Sequence, residues 1–413
     1  MRIILRWYHD SEVKNMKENR QRLAVVDGIR GCSLLGILLA NMLIFQYGIW
    51  GKDELHFYAP SAVDVGAYAL TKIFVEGSFL PIFAFLFGFG LIKMKESLQE
   101  KGLPYRRYFV RRFLFLMLAG FLHSTYLWEG DILFCYGAIG FFLLLFVNRK
   151  QKTVLVWGVI LLVTSAALSY GSPADASYDK QKLEAYVKET MTVYGSGTYA
   201  AIKDHRNNAD PLGLSDVEYA GMLFMAPVFI APMFLFGIYA AKARWFHEPD
   251  RERPFYRNGA ILCLLPGVVL ACAGYVWRDE AWSGTADVLG NSLLAFGYLF
   301  TLAYVFSQAA WSTWLHRFAS VGKLSMTNYL MQTVICTTIF YGYGLGLFGN
   351  IGVLAGILLA VAIFAVQAAG SHWYMSRFRC GPVEKLLRMW TNVSFSGRPK
   401  EKAAVGRGVT TSA

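Results

Sequence analysis

Within the stretch GFLHSTYLWEGDILFCYG stand one histidine and two carboxylates, His123, Glu129 and Asp131, spaced so that a tight helical hairpin would fold them together. A carboxylate beside an imidazole fixes its tautomer and stabilises the imidazolium formed on proton uptake, so the trio reads as a general base with its orienting acid. His123 falls one to two helical turns before the bend, and Glu129 and Asp131 fall in the bend itself. Glu76, early in another apolar run, is expected at the same depth. The competing reading is a capped turn, with Asp131 near the start of the following helix and His123 bonded to a carbonyl.

A second polar group begins at VVDGIRG, where Asp27 and Arg30 lie one helical turn apart and can pair on one face. Asn41 follows eleven residues later, about 16 Å deeper along a helix. In SMTNYLMQT, Asn328 and Gln332 stand at i and i+4, so both amides point the same way. The basic run RRYFVRR, residues 106–112, ends on Arg112. Polar groups inside apolar runs face a bundle interior and mark function by default. They also serve as interhelical glue, and Asp27 with Arg30 would equally make an interfacial anchor pair. Of the other histidines, His9, His247, His316 and His372 fall in or beside basic segments, His205 lies in a long polar loop, and His56 stays a spare catalytic candidate. No phosphate loop, HExxH, CxxC pair or dinucleotide fingerprint occurs, so no metal or nucleotide cofactor is indicated.

The elements that must position these residues follow from hydropathy. Of 413 residues, 55% are apolar and 16% charged, where a soluble chain carries about 25% charge. Apolar runs alternate with short segments that hold most of the Lys and Arg, the layout that a hydrocarbon slab about 30 Å thick demands of helices. The spacing predicts an all-α bundle of ten transmembrane helices over 31–50, 73–92, 113–128, 131–147, 153–170, 219–241, 258–276, 287–308, 325–345 and 351–370. With both termini cytoplasmic, inward segments hold 32 of the 40 basic residues and outward segments eight, as the positive-inside rule requires. The net charge of +12 is therefore read as orientation in a lipid bilayer, not as nucleic-acid binding.

Three regions result: a cytoplasmic segment 1–30, a transmembrane domain 31–376 and a basic cytoplasmic tail 377–413. The 22 leading residues lack an apolar core and cleavage site, so no removable signal peptide is expected. The outward loop 171–218, with a helix over 178–194, is either a lid on the outer mouth or a simple connector. The polar end from Ser396 is expected to be disordered. Five of the six cysteines fall in apolar spans, so no disulfide framework is indicated.

Four blocks carry a resemblance. VVDGIRGCSLLGILLANM, FLHSTYLWEGDILFCYG, GKLSMTNYLMQTVICTTIF and GPVEKLLRMWT together resemble the YeiB-like family of bacterial membrane proteins, which bear domain of unknown function 418. The first block is also similar, more remotely, to the D-x-x-R-G opening of membrane acyltransferases that modify cell-envelope sugars and of the lysosomal heparan glucosaminide acetyltransferase. Those enzymes place a histidine eleven residues after the arginine, where this chain has Asn41, so the resemblance implies that a histidine must come from elsewhere, with His123 first in line.

The implied activity is transfer of an acyl group from cytosolic acyl-CoA, with Arg30 and the 106–112 segment holding its phosphates. His123, oriented by Asp131 or Glu129, would deprotonate the hydroxyl or amine of a small-molecule or envelope-glycan acceptor or carry the acyl group itself, with Asp27, Arg30, Asn41, Glu76, Arg112, Asn328 and Gln332 as substrate-binding residues. A proton-coupled metabolite transporter using Glu76, His123 and Asp131 is the alternative, and a non-catalytic membrane partner is the third. The localisation that follows is the bacterial inner membrane.

Overall fold

The computed structural model describes residues 2–171, 180–211 and 215–397, and among them it is helical with no strand. The helices in chain order are α1 Arg2–Tyr47, α2 Ala62–Phe74, α3 Phe79–Glu100, α4 Tyr105–Tyr126, α5 Leu133–Leu143, α6 Gln151–Leu168, α7 Lys180–Ser196 and α8 Tyr199–Asn208. They continue with α9 Asp216–Lys242, α10 Arg253–Val276, α11 Ser283–Phe306, α12 Ser312–Lys323, α13 Ser325–Phe340, α14 Val353–Arg377 and α15 Pro382–Asn392. Local chemistry sets several ends. Ser61 with Asp64, and Ser215 with Glu218, close reciprocal capping boxes on α2 and α9, while Thr198 caps α8.

Among the described residues seven segments are long and apolar enough to cross a bilayer, counting α2 and α3 as one. The chain is a multi-pass membrane protein. Side chains such as Leu262, Leu265 and Val269 on α10 and Leu358 and Val366 on α14 stand exposed, as hydrocarbon-facing residues do.

The segment boundaries differ from the hydropathy reading for identifiable reasons. Helix α1 runs unbroken across residue 30, and its apolar part begins at Ala24. The run at 73–92 breaks at residues 75–78, where Gly77 takes φ +78°, and α3 begins afresh at Phe79. Four arginines in the first two turns of α4 end a hydropathy window without ending a helix. The helix expected over 178–194 is present as α7, residues 178 and 179 being outside the described residues, as is the polar end from residue 398.

The core has two halves joined along α1. Val25, Val26 and Ile29 pack with α3, α9 and α11, whereas Leu34, Ile37, Leu38 and Phe45 pack with α13 and α14. Helix α1 meets α12 backbone to backbone. A Cβ on Gly31 would lie 2.0 Å from the Phe318 carbonyl oxygen, and one on Gly322 would lie 1.9 Å from that of Asp27. Small residues permit this approach, and it places Arg30 and Lys323 side by side at one end of the bundle.

Gly322→Val should force the two helices apart and lower stability by about 1–3 kcal/mol. Gly66→Ala, on an α2 surface with nothing within 4 Å of the new Cβ, should be neutral or slightly stabilising. Thermal unfolding of both variants in detergent checks the contrast.

Candidate functional site

The α4–α5 hairpin is tight because Asp131 serves both of its arms. Its Oδ1 lies 2.8 Å from His123 Nδ1, and its Oδ2 accepts from the Phe134 amide at 2.8 Å, capping the first turn of α5. Gly120 makes room, since a Cβ there would lie 2.5 Å from Asp131 Oδ2. The capped-turn and histidine–acid readings are thus one arrangement. The side chains of His123 and Asp131 are each 2% exposed.

His123 Nε2 lies 3.1 Å from the hydroxyl of Thr333 on α13. A proton on Nδ1, facing Asp131, would leave Nε2 as the acceptor nitrogen beside the Thr333 hydroxyl. Tyr329, one turn earlier on α13, packs its ring 5.5 Å from the imidazole. Its hydroxyl donates to the Gly130 carbonyl at 3.2 Å and accepts from the Ile132 amide at 3.3 Å, so it ties the hairpin bend to α13.

On the other face of Tyr329 lies a cavity of about 290 Å³. Its near end is formed by Tyr329, Ile132 and Leu133, its walls by Leu34, Phe83, Phe87, Leu116 and Met326, and its far end by Arg30, Arg112, Lys323, Glu384 and Arg388. The charges there do not cancel. Arg30 pairs with Asp27 at 2.7 Å, and Glu384 is spent on the start of α13, accepting from the amides of Met326 and Thr327 at 2.8 and 3.0 Å. Among the described residues no carboxylate pairs with Arg112, Lys323 or Arg388. The cavity therefore offers a cationic end and an apolar interior, which suits an anionic head attached to an apolar chain.

The other candidates fall into place unevenly. Asn41 shares the α1 face of Arg30, Leu34 and Ile37, between the cavity and Phe45, which stacks 4.2 Å from Trp128. Asn328 and Gln332 do point the same way, but toward α14: Asn328 Nδ2 donates to Ser371 Oγ at 3.0 Å and Gln332 Nε2 to Gln367 Oε1 at 2.9 Å. They clasp two helices and do not line the cavity. Glu76, expected beside His123, is instead held by Lys52 at 2.6 Å and Lys72 at 2.9 Å. Glu129 does not orient His123 either. It accepts from the Tyr194 hydroxyl at 3.3 Å, and burial pushes its carboxyl above the ordinary range. His56 is exposed and pairs with Glu54. Thr333, Tyr329, Lys323 and Arg388 were not singled out by sequence, although Tyr329 and Thr333 lie at i+1 from the two amides that were.

Helices α7 and α8 form a cap over the hairpin. Arg206 donates to the carbonyls of Thr125 and Leu127 at 2.8 and 3.1 Å, and the Tyr199 hydroxyl donates to that of Tyr126 at 2.7 Å. Inside the cap His205 is buried, with Nε2 2.8 Å from Thr190 Oγ1 and Nδ1 3.5 Å from Glu189. Burial lowers its pKa below the ordinary value of 6.5 despite Glu189 and Asp204 nearby.

Comparison with known proteins adds the kinship. Residues 240–394 match the family model described as protein of unknown function DUF418. The chain is 34% identical over 390 residues to YxaH of Bacillus subtilis, covering 91% of this chain and 95% of that protein. It is 26% identical over 396 residues to YeiB of Escherichia coli, covering 90% and 96%. A 39.9 kDa protein from the amylase 3' region of Bacillus acidopullulyticus is 26% identical over 372 residues, covering 90% and 94%. No solved structure matches the chain.

A depressed histidine pKa means that between the folded value and 6.5 the unfolded chain binds more protons, so stability falls as pH drops through that window. Hydrogen exchange over residues 180–208, corrected for intrinsic rate, should therefore show the cap loosening on acidification below about pH 6.5. His205→Gln should flatten the dependence.

Proposed function

The chain belongs to the YeiB-like DUF418 family of bacterial membrane proteins, and from that premise we propose that it moves an acyl group from acyl-CoA across the bilayer to an acceptor. The observation that carries this reading is the buried His123–Asp131–Thr333 arrangement set beside a cavity with three unpaired cations at its far end.

The proposed topology has ten crossings, the seven long apolar segments joined by α4, α5 and α13, with both termini in the cytoplasm and the protein in the bacterial inner membrane. The division of basic residues, 32 against eight, supports this orientation. It puts Arg30, Arg112, Lys323 and Arg388 on the cytoplasmic side, where the anionic phosphates of CoA would be held. Pantetheine and acyl chain would then run along the apolar wall toward Tyr329.

For the chemistry, Tyr329 turns aside so that the thioester meets His123. The free Nε2 removes the proton of an acceptor hydroxyl, and the oxygen attacks the thioester carbon. The C–S bond breaks as the ester forms, and the imidazolium returns the proton to the departing thiolate. Asp131 supplies the negative charge that stabilises the imidazolium between these transfers. This assignment also meets the departure at Asn41, because the base comes from α4 instead of from α1.

Two measurements on detergent-purified protein test the proposal. His123→Ala should lower acyl transfer from acetyl-CoA by about 10²–10⁴-fold while leaving donor binding intact. Arg112→Gln and Arg388→Gln should each weaken acetyl-CoA binding by about tenfold. Absence of acetyl-CoA binding in the wild-type protein would reject the reading.

A further inference from the structure

Four buried polar atoms converge beneath the α7–α8 cap and have no hydrogen-bond partner: Trp128 Nε1, Glu129 Oε2, Arg206 Nε and the Tyr341 hydroxyl. Trp128 and Tyr341 are fully buried. Native proteins leave few such atoms, and several in one place mark something that belongs there. The residues are neighbours. Tyr194 donates its hydroxyl to Glu129, and its ring lies 4.8 Å from that of Tyr341. Arg206 acts electrostatically on both Glu129 and Tyr341.

We propose that this cluster is a binding site for a small neutral molecule rich in hydroxyl groups, and that its occupant is the acyl acceptor. The second half rests on the acyl-transfer reading; the first does not. Three of the free atoms are donors and one belongs to a carboxyl, so the occupant must both accept and donate hydrogen bonds. A cation would meet Arg206, and an anion would meet Glu129. A neutral polyol meets neither conflict. The surrounding rings of Phe45, Trp128, Tyr194 and Phe348 offer flat apolar faces to its C–H edges.

The location fits an acceptor. Trp128 sits edge-on to His123, with ring centroids 6.4 Å apart. Along α13, Tyr329, Thr333 and Thr337 follow one another at one-turn intervals and Tyr341 comes directly after the helix ends, so the chain runs from the cavity wall at Tyr329, past the Thr333 partner of His123, to the Tyr341 hydroxyl. His123 thus lies between the two compartments. On the far side of the His205 ring, which packs edge-on to Tyr194, the cap holds an open depression of about 610 Å³ bordered by Tyr186, Glu189, Val193 and His205.

The test is equilibrium binding of tritiated myo-inositol to the purified full chain with no acyl donor present, with glucosamine and gluconate as charged competitors. Saturable binding that neither charged compound displaces is expected. Tyr341→Phe and Trp128→Phe should each weaken it by about tenfold, since each removes one hydrogen bond to the occupant. The Tyr341 hydroxyl lacks a partner, so Tyr341→Phe should keep or raise the thermal midpoint, which separates a ligand role from a structural one, whereas Trp128→Phe also trims a fully buried ring and should lower it. No saturable binding, equal displacement by the charged compounds, or undiminished binding in both variants overturns the site. Binding as expected without transfer from acetyl-CoA to inositol would leave the site standing and remove only its acceptor role.

Discussion

The rest of the site depends on how one carboxylate divides its two oxygens. Asp131 gives one to the imidazole of His123 and the other to the opening amide of α5, so the bend of the hairpin and the orientation of the base are a single piece of structure. A carboxylate this deeply buried is tolerable only when its lone pairs are used, and both oxygens are. Tyr329 then fastens the bend to α13, which brings Thr333 to the remaining ring nitrogen.

Much of this was legible in the chain. A histidine eight residues ahead of an aspartate, across a break in an apolar run, announces a hairpin that brings the two side chains together, and His123 and Asp131 are in contact. What hydropathy could not resolve was where polar residues continue a helix. The arginines of α4 are its first turns, and α5 has 11 residues, a rise of about 16 Å, so composition alone saw neither as the structure has it. Glu76 lies elsewhere because the apolar run that carries it breaks at residues 75–78, and two lysines, Lys52 in the turn after α1 and Lys72 at the end of α2, hold it there. Thr333 and Tyr329 went unnoticed because hydroxyls are common in apolar helices, and only the crossing of α4 with α13 gives them a task.

The cationic end of the cavity makes a different point. Arg112 and Arg388 come from helices far apart in the chain, and no local pattern joins them. Uncompensated positive charges gathered in a partly enclosed space repel one another and lose hydration. Their persistence is intelligible when an anion completes the set. The amides that looked like ligands, Asn328 and Gln332, do the opposite work. By locking α13 to α14 they keep the side of α13 that carries Tyr329 and Thr333 turned toward the hairpin.

The Glu384 clasp has a temporal side. Helix α15 follows every other described helix in the chain, yet its carboxylate is what satisfies the exposed amides at the start of α13. During vectorial synthesis the ribosome delivers α13 first and its clasp some sixty residues later. Without α15 the amides of Met326 and Thr327 would lack their Glu384 acceptor, and the cavity would lack its Arg388 wall. Completion of the start of α13 and of the cavity wall therefore falls to α15, the last of the described helices.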